Sequence, residues 1–240
     1  MMYINTLFHP EALNPEKFRN ELKYICTESD LQILQARIQM LCDPDPHAGP
    51  EGTYHIRSVY FDNLNNRYFL ENENGTDPRE KYRIRIYNAS DKRITLERKK
   101  KERGMTHKDS CPLTLEQYHG IMSGSLPVSD STSLLLEQFL LLQNQENLKP
   151  KVIVAYDRTP YVYHFGNVRI TFDRNIGSTT DYSSFFSPYL PQRPILPLGN
   201  HILEVKYDEL LPGFLYDAMN LGNLQRTTFS KYYYCRKFTV

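Results

Sequence analysis

The chain has 240 residues, 40% of them hydrophobic and 24% charged, a globular composition that excludes wholesale disorder, a collagen-like repeat and a continuous coiled coil. No run approaches the roughly 18 uncharged residues that a membrane helix needs, since the longest apolar cluster, Leu134 to Leu142, is broken by Glu137 and Gln138. The net charge of +1 conceals an asymmetry: from Arg79 to Lys108 twelve Lys and Arg stand against four acids, so this segment carries +8 and the remainder −7. Such local concentration suggests a polyanion site, whereas a nucleic-acid coat raises the charge of a whole domain.

Met1 to Pro10 shows no basic region followed by an apolar core, and a cytoplasmic address is expected. Arg19 to Cys26 reads as a strand. Leu31, Leu34, Ile38 and Leu41 then recur at helical spacing behind Ser29 and Asp30, which can cap a first turn. After a proline-bearing loop, Asp43 to Gly52, come strands over Thr53 to Asp62, Glu80 to Tyr87 and Arg93 to Lys101, the last two joined as a hairpin by Asn88-Ala-Ser-Asp91. Thr114 and Gln117 form a capping-box pair ahead of Tyr118, Ile121 and Met122, and Ser133 caps a Leu-rich helix ending near Gln143. Strands follow at Lys151 to Thr159 and Val168 to Asp173, then a long loop over Ser183 to Gly199 and a strand at His201 to Tyr207. A helix over Leu211 to Leu221 has Pro212 in its first turn, and Ser230 to Phe238 reads as an eighth strand. Eight strands and scattered helices predict one α+β domain with a mainly antiparallel, barrel-sized sheet. Cys26, Cys42, Cys111 and Cys235 lack disulfide or zinc spacing and read as reduced thiols.

P-loop, dinucleotide, zincin and serine-hydrolase motifs are absent. The informative signal is strand parity, since residues i and i+2 share a face. Lys81, Arg83, Arg85 and Tyr87 alternate with Tyr82, Ile84 and Ile86, and Arg93, Thr95, Glu97, Lys99 and Lys101 alternate with Ile94 and Leu96. Arg19, Glu21 and Lys23 share a face, as do Glu204 and Lys206, and Arg169, Thr171 and Asp173. A single polar face is ordinary solvent exposure. Five faces dominated by Arg and Lys would repel one another unless something anionic lies between them. Closing the sheet with these faces inward gives a polar tunnel for a linear polyanion. Arginine forks and mobile lysines suit polyphosphate or a nucleotide triphosphate. Glu21, Glu97 and Glu204 could supply the few carboxylates that Mg²⁺ or Mn²⁺ needs beside phosphate oxygens.

At these residues the chain resembles a family. Phe-Arg-Asn-Glu-Leu-Lys-Tyr (18–24), Ser-Val-Tyr-Phe-Asp (58–62), Lys-Tyr-Arg-Ile-Arg-Ile-Tyr (81–87) and Leu-Glu-Arg-Lys (96–99) are similar to the VTC-type polyphosphate polymerase domain. Tyr-Asp-Arg-Thr-Pro-Tyr (156–161), Val-Arg-Ile-Thr-Phe-Asp (168–173), Leu-Glu-Val-Lys-Tyr (203–207) and Phe-Ser-Lys-Tyr (229–232) continue the match in order, so that it spans 18–238. The resemblance implies a triphosphate tunnel fold related to the CYTH group. It implies that Lys23, Arg83, Arg85, Lys99, Arg158, Arg169 and Lys231 line the tunnel and bind phosphate, that Glu204 holds the metal, and that Lys108 and Lys206 assist. Arg158 shares strand parity with Val152 and Val154, so its place rests on the resemblance alone. Where CYTH relatives carry Glu-x-Glu-x-Lys, this chain has only Glu21 and Lys23, with Arg19 at the first acidic position.

The expected activity is metal-dependent transfer of the γ-phosphoryl group of ATP to inorganic polyphosphate. An inorganic triphosphatase using the same site and a binding module that turns nothing over are the alternatives. Nucleic acid is disfavoured, because a duplex does not thread an eight-stranded tunnel. Tyr232, Tyr233 and Tyr234 read as packing material, and no histidine is assigned as a base, because transfer to a phosphate nucleophile needs positioning and charge more than proton removal.

Overall fold

The computed structural model describes residues 18–237; Met1 to Pro10 and Phe238 lie outside the described residues. Strand β1 (Asn20–Thr27) runs into helix α1 (Glu28–Ile38), and the short β2 (Asp43–Pro44) precedes β3 (Tyr54–Asp62) and α2 (Arg67–Glu73). Three strands then meander, β4 (Arg79–Tyr87), β5 (Ser90–Glu102) and β6 (Met105–Leu113), before helices α3 (Leu115–Ser123) and α4 (Leu134–Glu146). Next come β7 (Lys149–Tyr163), β8 (Val168–Thr179), the short β9 (Arg193–Pro194) and β10 (Asn200–Tyr207). Helix α5 (Gly213–Ala218), the two-residue β11 (Gln225–Arg226) and helix α6 (Lys231–Lys237) complete the described chain.

All strand pairs are antiparallel, in the order β11-β1-β10-β8-β7-β3-β4-β5-β6. The far edge returns to the start. Arg19 and Thr106 form one isolated antiparallel bridge with two backbone hydrogen bonds of 2.9 Å, joining the residue before β1 to β6. The eight long strands thus surround an interior, stitched at one point along an otherwise open seam.

Alternation predicts which side chains face out. Tyr82, Ile84, Ile86, Ile94 and Leu96 are buried in a core with α3 and α4 on the outer face of β4 and β5, where Tyr82 lies against Phe139 and Tyr68. A second core unites Leu31, Leu34 and Ile38 of α1 with Ile170, Phe172, Leu203, Val205 and Leu215. The apolar halves of the strands therefore look outward to helices, leaving their charged halves inside.

Local chemistry sets the helix starts. Thr27, and not Ser29 or Asp30, is the N-cap of α1, in a capping box that uses Asp30 as its acidic member. Thr114 with Gln117 and Ser133 cap α3 and α4 as their sequence predicts.

The structure adds helix α2, which the sequence does not announce, shortens the helix expected over 211–221 to Gly213–Ala218 with Pro212 as its N-cap, and differs in two larger elements. The eighth long strand is Met105–Leu113, and the segment expected as a strand from Ser230 onward is, over its described residues, not a strand but the start and length of α6 (Lys231–Lys237). β6 sits at the edge and carries Thr, His, Lys, Asp, Ser and Pro, so it lacks the apolar, β-branched run that marks interior strands. In α6 the β propensity of three tyrosines yields to packing: Tyr232 stacks on Tyr60, Tyr233 on Phe69, and Tyr234 on Phe229. The helix buries Lys231, Tyr232, Cys235 and Arg236 on one side, against β7 and α2. The four cysteines are free and buried, and burial pushes the Cys26 thiol up to about 12 and Cys42 to about 11. No described helix is long and apolar enough to cross a membrane.

Candidate functional site

Strand parity delivers the charged side chains to one cavity of about 450 Å³. β4 contributes Lys81, Arg83, Arg85 and Tyr87, β1 contributes Glu21 and Lys23 with Arg19 just before it, and β10 contributes Glu204 and Lys206. Arg158 and Tyr156 come from β7, Arg169 and Thr171 from β8, Lys99 from β5 and Lys108 from β6. Lys231 arrives from the first turn of α6. Eleven of the twelve residues singled out in the sequence line this one cavity; Glu97 does not. Arg158 is inward because its register partner is Tyr54, itself a lining residue. Val154 of the same parity pairs with Ser58, which accepts a hydrogen bond from Arg85 Nε at 3.2 Å. That face of β7 is simply apolar towards its N-terminal end.

The repulsion expected between adjacent cationic strands is relieved by buried acids. Glu97, 2% exposed, receives Arg83 Nε at 2.7 Å and Nη2 at 2.6 Å on one oxygen, and Lys108 Nζ at 3.0 Å on the other, with Arg85 Nη1 3.7 Å away. Asp173, fully buried, takes a bidentate fork from Arg158 at 2.6 and 2.7 Å and Lys231 Nζ at 2.6 Å. Arg169 pairs with Asp45 at 2.6 Å and donates to Tyr54 Oη at 3.0 Å. These acids orient the cations from behind, and tyrosine hydroxyls finish the work: Arg83 donates to Tyr60 at 2.7 Å and Arg85 to Tyr156 at 3.3 Å.

Glu204 and Glu21 differ from Glu97 because they reach the cavity surface. Glu204 lies 2.9 Å from Lys206 and 3.7 to 3.9 Å from Lys23, Arg158 and Lys231. Glu21 accepts Lys99 at 2.6 Å and lies 3.5 Å from Lys23 and 3.9 Å from Lys206. The two carboxylates therefore share Lys23 and Lys206. Burial would raise the Glu204 carboxyl, but Lys206, Lys23, Lys231 and Arg158 hold it well below the usual carboxylate range. Glu97 is treated alike by burial and by Arg83, Arg85 and Lys108. Burial drives the Lys99 ammonium down to about 7, with Glu21 opposing and Lys23 and Lys206 adding to the fall. At Tyr156 burial is outweighed by Arg158 and Arg85, which draw the phenol below its ordinary value.

No group of three or more His, Cys, Asp or Glu gathers into a metal cage among the described residues. A hard cation in phosphate chemistry does not require one, since it takes one or two carboxylates and completes its shell with phosphate and water oxygens. Glu204 and Glu21 fit that demand. Glu97 does not, because it is absent from the lining and lies behind Arg83 and Lys108. Two further polar atoms on lining residues, Arg169 Nε and Thr171 Oγ1, are buried without a hydrogen-bond partner, as suits a site shaped for an anion.

The sequence reading left several contributors unassigned. Lys81 and Asp173 were visible by parity with Arg83 and Arg169. Asp45 comes from a proline-bearing loop, and the lining tyrosines 54, 60 and 156 sit among apolar neighbours, so neither gave a signal in one sequence.

An antiparallel ring of strands with charge inside and helices outside is a fold that this chain shares with solved structures of low sequence identity. A Hippeastrum protein described as a candidate adenylyl cyclase with a dominant triphosphatase activity matches at 14% identity and a TM-score of 0.56, over 93% of this chain and 97% of its own. A candidate adenylate cyclase from Bacillus halodurans matches at 13% identity and a TM-score of 0.49, over 85% and 87%. No curated protein matches in sequence. The VTC domain family matches residues 18–240, and the chain belongs to that family.

Proposed function

We propose that this protein extends inorganic polyphosphate, transferring the γ-phosphoryl group of ATP to the end of a phosphate chain with a divalent cation, Mn²⁺ or Mg²⁺. The observation that carries the reading is the cavity itself: all nine cations expected to meet phosphate line it, six of them largely buried, with Arg169 and Lys206 partly exposed and Lys108 half-exposed. Lys23, Arg83, Arg85, Lys99, Arg158, Arg169 and Lys231 bind the phosphates, with Lys108 and Lys206 assisting.

Phosphoryl transfer calls mainly for alignment and for charge placed where the transferred group's equatorial oxygens lie. Glu97 and Asp173 hold the arginine forks fixed before substrate arrives, so little reorganisation accompanies the reaction. The cation, held by Glu204 and Glu21 together with phosphate oxygens, would neutralise charge that develops on those oxygens. A chain-end phosphate is already ionised at neutral pH, so none of the histidines is needed as a base. The triphosphatase described for the Hippeastrum relative supports a second reading, in which water takes the place of the chain end.

The two part on the fate of label. Purified protein given γ-labelled ATP, Mn²⁺ and a long polyphosphate primer is expected to yield labelled chains and ADP in near-equal phosphoryl amounts. Label recovered almost wholly as free phosphate, even with primer present, would overturn elongation in favour of hydrolysis, and ATP left intact would favour a binding module.

A further inference from the structure

A second pocket of about 50 Å³ adjoins the main cavity, and the two share Glu21, Lys23, Lys81, Lys99 and Ser230 as lining. Its remaining walls bring two more cations, Arg79 and Lys101, and one acid, Glu80. Lys81 stands at the neck. It donates to Ser230 Oγ at 3.1 Å and lies 5.7 Å over the Tyr232 ring, and no carboxylate of the described residues is within ion-pair distance. Its neighbours make this worse, for burial and the nearby Lys99, Lys23 and Arg83 all push the Lys81 ammonium well below its ordinary value, with Glu21 alone opposing.

The acids that face the neck are engaged elsewhere or remote. Glu21 is committed to Lys99 at 2.6 Å, and the charges that steady Glu80 are Arg98, Arg67 and Lys100. An ammonium has three donors, and one serine hydroxyl satisfies a single one of them. Lys81 is half-buried, and a cation withdrawn from water without a counter-charge is held at a cost, whereas every other inward lysine or arginine of β4 and β5 in the main cavity has a carboxylate near it. A purely structural residue at this position would be apolar or paired.

We propose that Lys81 is the centre of a subsite for a further phosphate group, beyond those held in the main cavity, with Lys101 and Arg79 on its outer wall and the tail of a linear polyphosphate as its ligand. The proposal rests on the phosphate-chain reading of the main cavity. On binding, the two ammonium donors that Ser230 leaves open meet phosphate oxygens, and the serine O–H donates to the same group. The neck thereby makes chain length a determinant of affinity.

The test is calorimetric titration of the folded protein with tripolyphosphate and with a linear polyphosphate of about ten units, in wild type, Lys81→Gln and Lys101→Gln; a gain of ten-fold is about 1.4 kcal/mol. The wild type is expected to bind the longer chain at least ten-fold more tightly, and each substitution to cut that ratio at least three-fold. Lys101 lines only the smaller pocket, so its variant decides the matter if Lys81→Gln does not fold. An unchanged ratio in the folded variants overturns the subsite while leaving the main cavity's reading intact. Failure of the wild type to bind either chain overturns that reading, and the subsite with it.

Discussion

Replacing Glu97 with glutamine separates a clamp from a metal ligand. The side chain keeps its shape and loses its charge, so Arg83, Arg85 and Lys108 are left around a neutral amide whose nitrogen is itself a donor. Removing one partner of a buried ion pair costs about 3–5 kcal/mol. The lower end applies here, because Arg83 retains Tyr60, Arg85 retains Ser58 and Tyr156, and Lys108 is 49% exposed and can turn to water. About 3 kcal/mol in a chain of this size lowers Tm by roughly 6–12 °C. Millimolar tripolyphosphate should recover much of the loss, because an anion in the cavity replaces the missing charge and ligand binding to the native state alone stabilises it. Differential scanning calorimetry with and without tripolyphosphate measures both quantities. A variant that melts with the wild type while its metal requirement rises several-fold would refute the clamp and return Glu97 to the ligands.

Glu204→Gln is expected to do the reverse, raising the Mn²⁺ concentration needed for half-maximal activity at least ten-fold; a titration indistinguishable from wild type would pass the role to Glu21. Proton uptake tests the lysines. With Lys99 held at about 7 in the free protein, the group is mostly neutral at pH 8, and a bound phosphate chain favours its charged form. Binding at pH 8 should therefore take up protons at Lys99, and far fewer at pH 6, where the lysine is already charged. Calorimetry in buffers of different ionisation heat reads this as the difference between wild type and Lys99→Gln, and no difference at pH 8 would mean that Lys99 stays charged when the cavity is empty.

The site proved more legible than its frame. Alternation of charge with apolar residues is local, and a strand buried on both sides by helices and tunnel must keep it, so Lys81 to Tyr87 declared their facing without any partner. Arg158 was obscure because inward positions of β7 change from apolar to cationic along one strand, and only its pairing with Tyr54 reveals where the change falls. β6 and α6 were misjudged for the same underlying cause. A strand at the seam needs little hydrophobicity, and a helix with three tyrosines is stabilised by Tyr60, Phe69 and Phe229, which are supplied by distant parts of the chain. Glu97 shows the limit at the level of chemistry. Parity placed it on the inward face, yet its depth behind Arg83 and Lys108, which turns a candidate ligand into a brace, is a matter of side-chain packing.

The single bridge between Arg19 and Thr106 gives the ring an uneven mechanics. Every other junction between long strands is a ladder of several residue pairs, whereas here two hydrogen bonds, together about 1–3 kcal/mol, are joined by the Lys99–Glu21 ion pair and the contact of Phe18 with His107. A fully laddered barrel has a fixed circumference, and its bore cannot change without breaking it throughout. This one behaves as a cuff with a clasp. Its fastening shares a residue with the bore, because the Lys99 that reaches Glu21 across the seam also lines the cavity.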